Sequence, residues 1–279
     1  MIASRVHAVI AAGLDNPQLL TLWQQEPDRL RHYGVEPEDL DLDALWKFAG
    51  LSAKVRHNGL RMDLPLTFRL LNVAGLEIEV FASYASFAAG EGRRYADTSE
   101  RRAQDLLSFL EHWLDFDRHE HALLWDLFRY ELALTRLSRS TAAFPNEALA
   151  PPAPFAPLTQ LRAASVPRVC GEIILHEMTC DPRALGLTLQ EKSPQLDEVS
   201  IGTFHFCYWR RDATAQVHIL ELDELGFYLL SLADGKRSAA DLSQLLGGNR
   251  RPARRFLKVL AELAAVGIMA FDTTPEKTR

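Results

Sequence analysis

Cysteine is scarce in this chain. Cys170, Cys180 and Cys207 are three among 279 residues, an odd number at irregular spacing, which argues against a disulfide framework and makes a reducing cytoplasm the default compartment. Long apolar runs are missing too. No stretch approaches the roughly 20 continuous apolar residues that a spanning helix needs. The N-terminal MIASRVHAVIAAGLDN has too short an apolar run for a secretory signal, and Asp15 follows early. A surplus of positive charge is also lacking. The formal net charge is −6, which argues against a dedicated nucleic-acid binder while leaving room for one local basic face. Three catalytic signatures are absent: a G-x-S-x-G elbow, a Walker loop and a G-x-G-x-x-G following a strand. There is no internal repeat. What remains is the composition of an ordinary globular chain, long enough for two modest domains that each bury a core.

The first half reads as helix. In residues 19–34, Leu19, Leu22, Trp23 and Leu30 recur toward a core, and Pro27 interrupts or restarts the helix. Pro37 precedes a helix expected to stop near Gly50. Asp63 has the place of a cap for a helix with Pro65 in its first turn, and Gly75 and Gly90 mark the next two helix ends. Asp97 and Glu100 have capping-box spacing ahead of a helix that buries Leu106, Leu107, Phe109, Leu110, Trp113 and Leu114. A last helix runs from about Glu120 to Leu137. Six or seven helices and no strand before residue 140 predict an all-α bundle.

Residues 141–160 concentrate Pro and Ala without apolar periodicity, so they read as an extended connector. Beyond it the period changes. Residues 166–178 and 200–220 read as strands, the second a hairpin turning at Arg211-Asp212-Ala213. Between them, 181–199 reads as loop with one helical turn at Pro182–Leu185. The strand Gln216–Leu220 leads into ELDELGFYLLSLADG, where Asp223 has the place of an N-cap and Asp234-Gly235 of a stop. Ser238 opens a second helix ending at Gly247-Gly248. A third holds Pro252 in its first turn and the apolar stripe Phe256, Leu257, Leu260, Leu263, Ala264 and Val266, before Gly267 and a closing strand at 268–271. The whole predicts an α+β chain: a helical domain over 1–140, the connector, and a winged-helix-like domain over 161–279.

Several clusters invite a chemical reading and lose to a structural one. Arg118-His119-Glu120-His121 offers two imidazoles, but residues two apart on a helix point apart, whereas a zinc pair needs i, i+4 spacing. Cys170 and Cys180 are too far apart for a CxxC knuckle and read as buried thiols. His205 and His218 read as partly buried structural residues. No catalytic set emerges.

Two stretches resemble known families. The order "apolar strand, LDELGFYLLSLADG, short helix, GG, basic amphipathic helix, L-x-x-x-G-I" resembles the PqqD-like recognition element of ribosomal-peptide biosynthesis. That element binds the leader segment of a precursor peptide as an added strand. In the first half, "R-x-N-x-x-x-x-x-L-P-x-T-F-x-L-L", a Gly turn, "E-x-F-x-x-Y", then "FLEHWL" and "LWDLFRYELAL" are similar to the helical domain called DUF2063. Proteins with that domain are typically encoded beside DUF692-type enzymes, multinuclear non-haem iron oxidases that modify cysteines of ribosomally made peptides. Together the two matches resemble the partner subunits of methanobactin and 3-thiaglutamate-type pathways, the second more closely. The resemblance implies a non-catalytic, cytoplasmic subunit with no cofactor of its own, in a heterodimer with an enzyme that holds the iron.

The binding mode that this implies is physical. A leader would add as a strand beside Gln216, Val217, His218, Ile219 and Leu220, pairing with their open backbone groups. Its apolar side chains would enter a groove toward the third helix at Val259. Arg250, Arg251, Arg254, Arg255 and Lys258 lie on or beside that helix, with Arg251, Arg255 and Lys258 on one side, placed to meet acidic leader residues. The helical domain would dock on the enzyme. The same arginines support a rival, a winged-helix transcriptional regulator contacting phosphates, although the helix lacks an interleaved Asn/Gln/Ser base-reading face. A third reading, a metal in the bundle on His57, Glu77, Glu79 or His112, needs Glu-x-x-His spacing that is absent.

Overall fold

The computed structural model describes residues 2–91, 98–140, 161–249 and 251–272. The expected connector at 141–160, Asp97 of the expected capping box and Arg250 lie outside these. The chain is α+β and divides into two compact units, Met1–Leu132 with Pro182–Val199 and Ala133–Asp181 with Ser200–Arg279. The cut is thus not a single point after residue 140. Residues 182–199, read from sequence as loop, cluster with the helices instead.

The first unit holds α1 (Ile2–Asp15), α2 (Pro17–Gln25), α3 (Leu42–Arg56), α4 (Pro65–Val73), α5 (Glu77–Gly90), α6 (Ser99–Trp113), the greater part of α7 (His119–Arg139) and α8 (Pro182–Gln190). Pro27 does restart the chain, as a 3-10 turn over Pro27–Tyr33. Asp41 caps α3 by accepting from the Ala44 N–H at 2.9 Å. The expected stop at Gly50 does not occur, because α3 runs on for six more residues. Gly50 is there for packing: a Cβ would lie 2.8 Å from the Ala82 Cβ and 2.9 Å from the Ile78 carbonyl oxygen of α5. Only a glycine lets these two helices approach so closely.

The start of α4 is held by a residue far away in sequence. Asp63 does not cap it; its carboxylate instead accepts from the Ser99 hydroxyl, and Leu64 occupies the cap position without a side-chain bond. The carboxylate of Glu131, on α7, accepts from the N–H groups of Leu66 and Thr67 at 2.9 and 2.7 Å. These are first-turn donors with no partner inside the helix. Glu131 is 6% exposed. Burial pushes its carboxyl above the ordinary range, and the two backbone donors pull against that rise. Arg69, further along α4, donates to the Leu189 and Glu191 carbonyls at the end of α8. With Leu185 and Leu189 buried, this explains why nine residues of α8 form where sequence suggested one turn. Thr98 caps α6 through the Arg101 N–H.

The second unit contains β1 (Val166–Val169), β2 (Glu172–Met178), β3 (Phe204–Arg210), β4 (His218–Leu222), α9 (Glu224–Leu232), α10 (Ala239–Leu245), α11 (Arg254–Val266) and β5 (Met269–Asp272). β2, β3 and β4 form an antiparallel sheet in that order, and β1 pairs with β5. The continuous strand expected over 166–178 is therefore two strands in two sheets. Gly171 divides them at φ +87, where a side chain would collide with the Arg210 carbonyl. The expected hairpin is present; Asp212 closes its turn by accepting from the Thr214 and Ala215 N–H groups at 2.9 and 3.0 Å. Both faces of β3 are buried. Cys207 and Trp209 join a core with Leu229, Leu230, Leu242, Phe256, Leu260 and Leu263, while Phe206 and Tyr208 alternate onto the other face. The Cys207 thiol is pushed up to about 12 by burial; of the two cysteines read from sequence as buried thiols, Cys180 is buried and Cys170 only half-buried.

Two outcomes are expected. Glu131→Ala leaves two first-turn N–H groups of α4 without an acceptor, so urea denaturation should show a loss of about 1–3 kcal/mol. A value near zero would show that the cap is dispensable. His121 is 2% exposed; its Nδ1 accepts from the Asp115 N–H at 3.0 Å, which puts the proton on Nε2, buried with no partner among the described residues. Burial first, then the Arg118 charge, hold this ring below the usual imidazole range. The neutral ring's contribution to stability is complete above the unfolded value of about 6.5 and is lost as pH falls through the lower folded value. The slope of unfolding free energy against pH below about 6.5 should shrink in His121→Asn; an unchanged slope would assign it elsewhere.

Candidate functional site

β4 is an edge strand of its sheet. It pairs with β3 on one side, Tyr208 opposite Ile219 and Cys207 opposite Leu220, and with no described strand on the other. Its alternation follows the pleat. Leu220 and Leu222 pack against the helical core, whereas Ile219 and Glu221 lie on the opposite face. His218 is exposed and lies tilted against Trp209, ring centroids 5.4 Å apart. Of the five edge residues expected from sequence, His218, Ile219 and Leu220 are in the strand, while Gln216 and Val217 precede it on the hairpin turn. The strand runs two residues further, to Leu222.

Beyond Leu222 the chain turns directly into α9. The Asp223 carboxylate accepts from the Gly226 N–H at 2.7 Å, capping that helix. The same carboxylate lies 3.7 Å from the Arg255 guanidinium on α11. α9 packs against β3, β4 and α11, so its first turn is where the strand edge and α11 come together. A Cβ at Gly226 would lie 3.1 Å from the capping Asp223 Oδ1 and only in ordinary contact with Val259 Cγ1, at 3.7 Å, so the glycine leaves room for the cap. Val259 is half-buried on this side, and Leu222 and Leu225 pack against the same core.

The basic stripe is shorter than its sequence spacing suggested. α11 begins at Arg254, with Ala253 at the cap, so Pro252 and Arg251 stand before the helix rather than in it. Arg251 therefore cannot continue a helical row with Arg255 and Lys258. Arg254, Arg255 and Lys258 are exposed on α11. Arg255 keeps 79% of its side chain in solvent beside Asp223, and Lys258 keeps 65% beside Glu262 at 3.4 Å. Ion pairs this wet leave both cations free to exchange partners. Sequence reasoning missed that Asp223 faces α11. It read that residue only as a cap, and its second contact exists only once α9 has packed.

The other clusters are occupied structurally. Glu77 is paired with Lys54 at 2.6 Å and with Arg61. The Nδ1 atoms of His57 and His112 bond the carbonyls of Ala53 and Ser108. Arg118 pairs with Glu120, and His119 Nε2 bonds the Leu196 carbonyl at 2.9 Å. Among the described residues, no three His, Cys, Asp or Glu side chains gather as a metal-ligand set. No helix among them is long and apolar enough to cross a membrane.

Fold and site together define an α+β chain with a helical unit and a second unit in which the sheet edge at β4 lies beside a helix bearing exposed cations. No family model matches the chain, and no curated protein matches it.

The capping and pairing roles of Asp223 separate by mutation. Asp223→Ala should lower stability by about 1 kcal/mol through the lost N-cap. Arg255→Ala should change it by less than about 0.5 kcal/mol. Thermal unfolding of the two variants checks this, and an Arg255→Ala loss as large as that of Asp223→Ala would make the ion pair structural.

Proposed function

We propose that this chain is a non-catalytic partner subunit that binds a ribosomally made precursor peptide and presents it to a DUF692-type iron enzyme for oxidative cysteine modification, of the 3-thiaglutamate type. The observation that carries the reading is the open edge of β4 beside α11. An extended leader can add there, its backbone pairing with β4 and its acidic residues exchanging with Asp223 and Glu262 for Arg255 and Lys258. Tethering the leader raises the concentration of a distal cysteine at the enzyme, to about the millimolar range for a flexible link. The iron belongs to the enzyme in this scheme. The helical unit supplies the docking surface, and the pair works in the cytoplasm.

The exposed cations of α11 also fit a regulator that contacts phosphates, and one experiment separates the two. The chain is expressed with and without a DUF692-type enzyme, and metal and bound peptide are measured. Iron found only in the co-purified complex, with the peptide held by this chain, is the expected result. Stoichiometric metal in this chain alone, or tight salt-dependent binding of duplex DNA with no complex, would overturn the proposal.

Strand addition makes a local prediction. Successive N–H groups along a strand point to opposite edges, so of Ile219→Pro and Leu220→Pro one removes an outward donor and the other a donor to β3. The variant that keeps the wild-type circular dichroism spectrum should lose leader binding by fluorescence anisotropy. Undiminished affinity in it would rule out addition at β4.

A further inference from the structure

α3 turns one apolar face to solvent. Ala44, Phe48, Leu51 and Val55 are all exposed on it, the last three at 52, 44 and 65%. Residues spaced four, three and four apart line one side of a helix, and that is the spacing by which two helices pair along a seam. The opposite side of α3 is already in use. Ala49, Gly50 and Ala53 are buried there, and Gly50 brings the helix against Ile78 and Ala82 of α5. α3 therefore cannot roll to hide its seam without breaking that close approach. Single apolar residues scattered on a surface need no explanation, but a row of them at seam spacing marks a contact.

The charges along α3 are sorted by end. Asp41 and Asp43 stand at its start, Lys54 and Arg56 in its last turn. Two copies of α3 laid antiparallel along the seam set each acidic start against the other's basic end. Laid parallel, they would set like charge against like. Asp43 carries only a wet pair with Lys47, the two side chains 64 and 59% exposed, so it can turn to a new partner. Lys54 is held by Glu77 at 2.6 Å, which makes the exposed Arg56 the cation that a second copy meets first.

We infer that this face is a self-complementary contact between two copies of the chain, with their α3 helices antiparallel. Phe48 of each copy packs against Leu51 of the other, and Ala44 against Val55, about a two-fold axis midway between positions 48 and 51. A seam of about three turns buries less than a permanent interface needs. The association is accordingly weak, with a Kd of about 10–100 µM. It requires nothing of the recruiting function proposed above.

Sedimentation velocity of the full chain from about 5 to about 500 µM tests it. The weight-average mass should rise from that of one chain toward that of two across this range. Phe48→Ser and Leu51→Ser, at positions already in solvent, should keep the circular dichroism spectrum and each weaken the dimer about tenfold or more. Arg56→Glu should weaken it about threefold. Crosslinking reads the orientation, because in an antiparallel pair position 44 meets position 55 and not itself. Ala44→Cys chains mixed with Val55→Cys chains should join through a disulfide under mild oxidation, whereas Ala44→Cys chains alone should join no more than the wild type does. A chain that stays monomeric throughout, a dimer indifferent to Phe48→Ser and Leu51→Ser, or Ala44→Cys chains that join one another as readily as they join Val55→Cys chains would overturn the inference. A chain that is monomeric alone and loses a DUF692-type enzyme on Phe48→Ser would give this face to the enzyme. That result would remove the self-contact and leave the recruiting function standing.

Discussion

The double burial of β3 is the constraint on which the second unit depends. A strand with apolar side chains on both faces must be central, because each face needs a layer against it. Cys207 and Trp209 meet the helical core, and Phe206 and Tyr208 carry the other face. Trp209 also donates its indole N–H to the Cys170 carbonyl at 2.6 Å, so the turn between β1 and β2 is tied to the same strand. With β2 on one side and β4 on the other, β3 is paired on both sides from His205 to Trp209, and the open donors and acceptors of the sheet fall on its outer strands. β4 is one such edge by necessity. Its five residues end in a cap that starts a helix, so this edge is short and stops abruptly.

Much of this was legible in the sequence because it is local. The hairpin, the Asp223 cap, the helix start at Ser238 and the stop at Gly267 each depend on residues within a few positions of one another. What the sequence misled on is non-local. Gly50 carries a stop signal and sits inside a helix, because Ala82 approaches it from α5. Asp63 holds the position of a cap, but Glu131 does the capping from 64 residues or more away. The segment 182–190 has Gly186 in its middle and weak local helix propensity; docking of its leucines on the helical unit and the Arg69 contacts to its last carbonyls make it a helix.

The site followed the same division. The edge and the cations of α11 could be named from periodicity, and the strand and the helix are where periodicity put them, displaced by two or three residues. The displacement matters for Arg251. Counting i, i+4 from Arg255 placed it on the helix, while the uncapped start of α11 places it on the approach. Asp223 was visible only as a cap, because the packing of α9 against α11 is a tertiary event that no spacing rule reports.

The exposed cations of α11 belong to a chain whose formal net charge is −6. At a distance an acidic molecule meets the net negative charge of the chain as a whole, and on approach to this helix it meets exposed cations. Such a charge distribution acts on encounter more than on affinity, by orienting partners before they touch. Within a Debye length of about 8 Å at physiological salt, the local sign prevails. The helix is in effect a gate on association rate, and the salt concentration sets its reach.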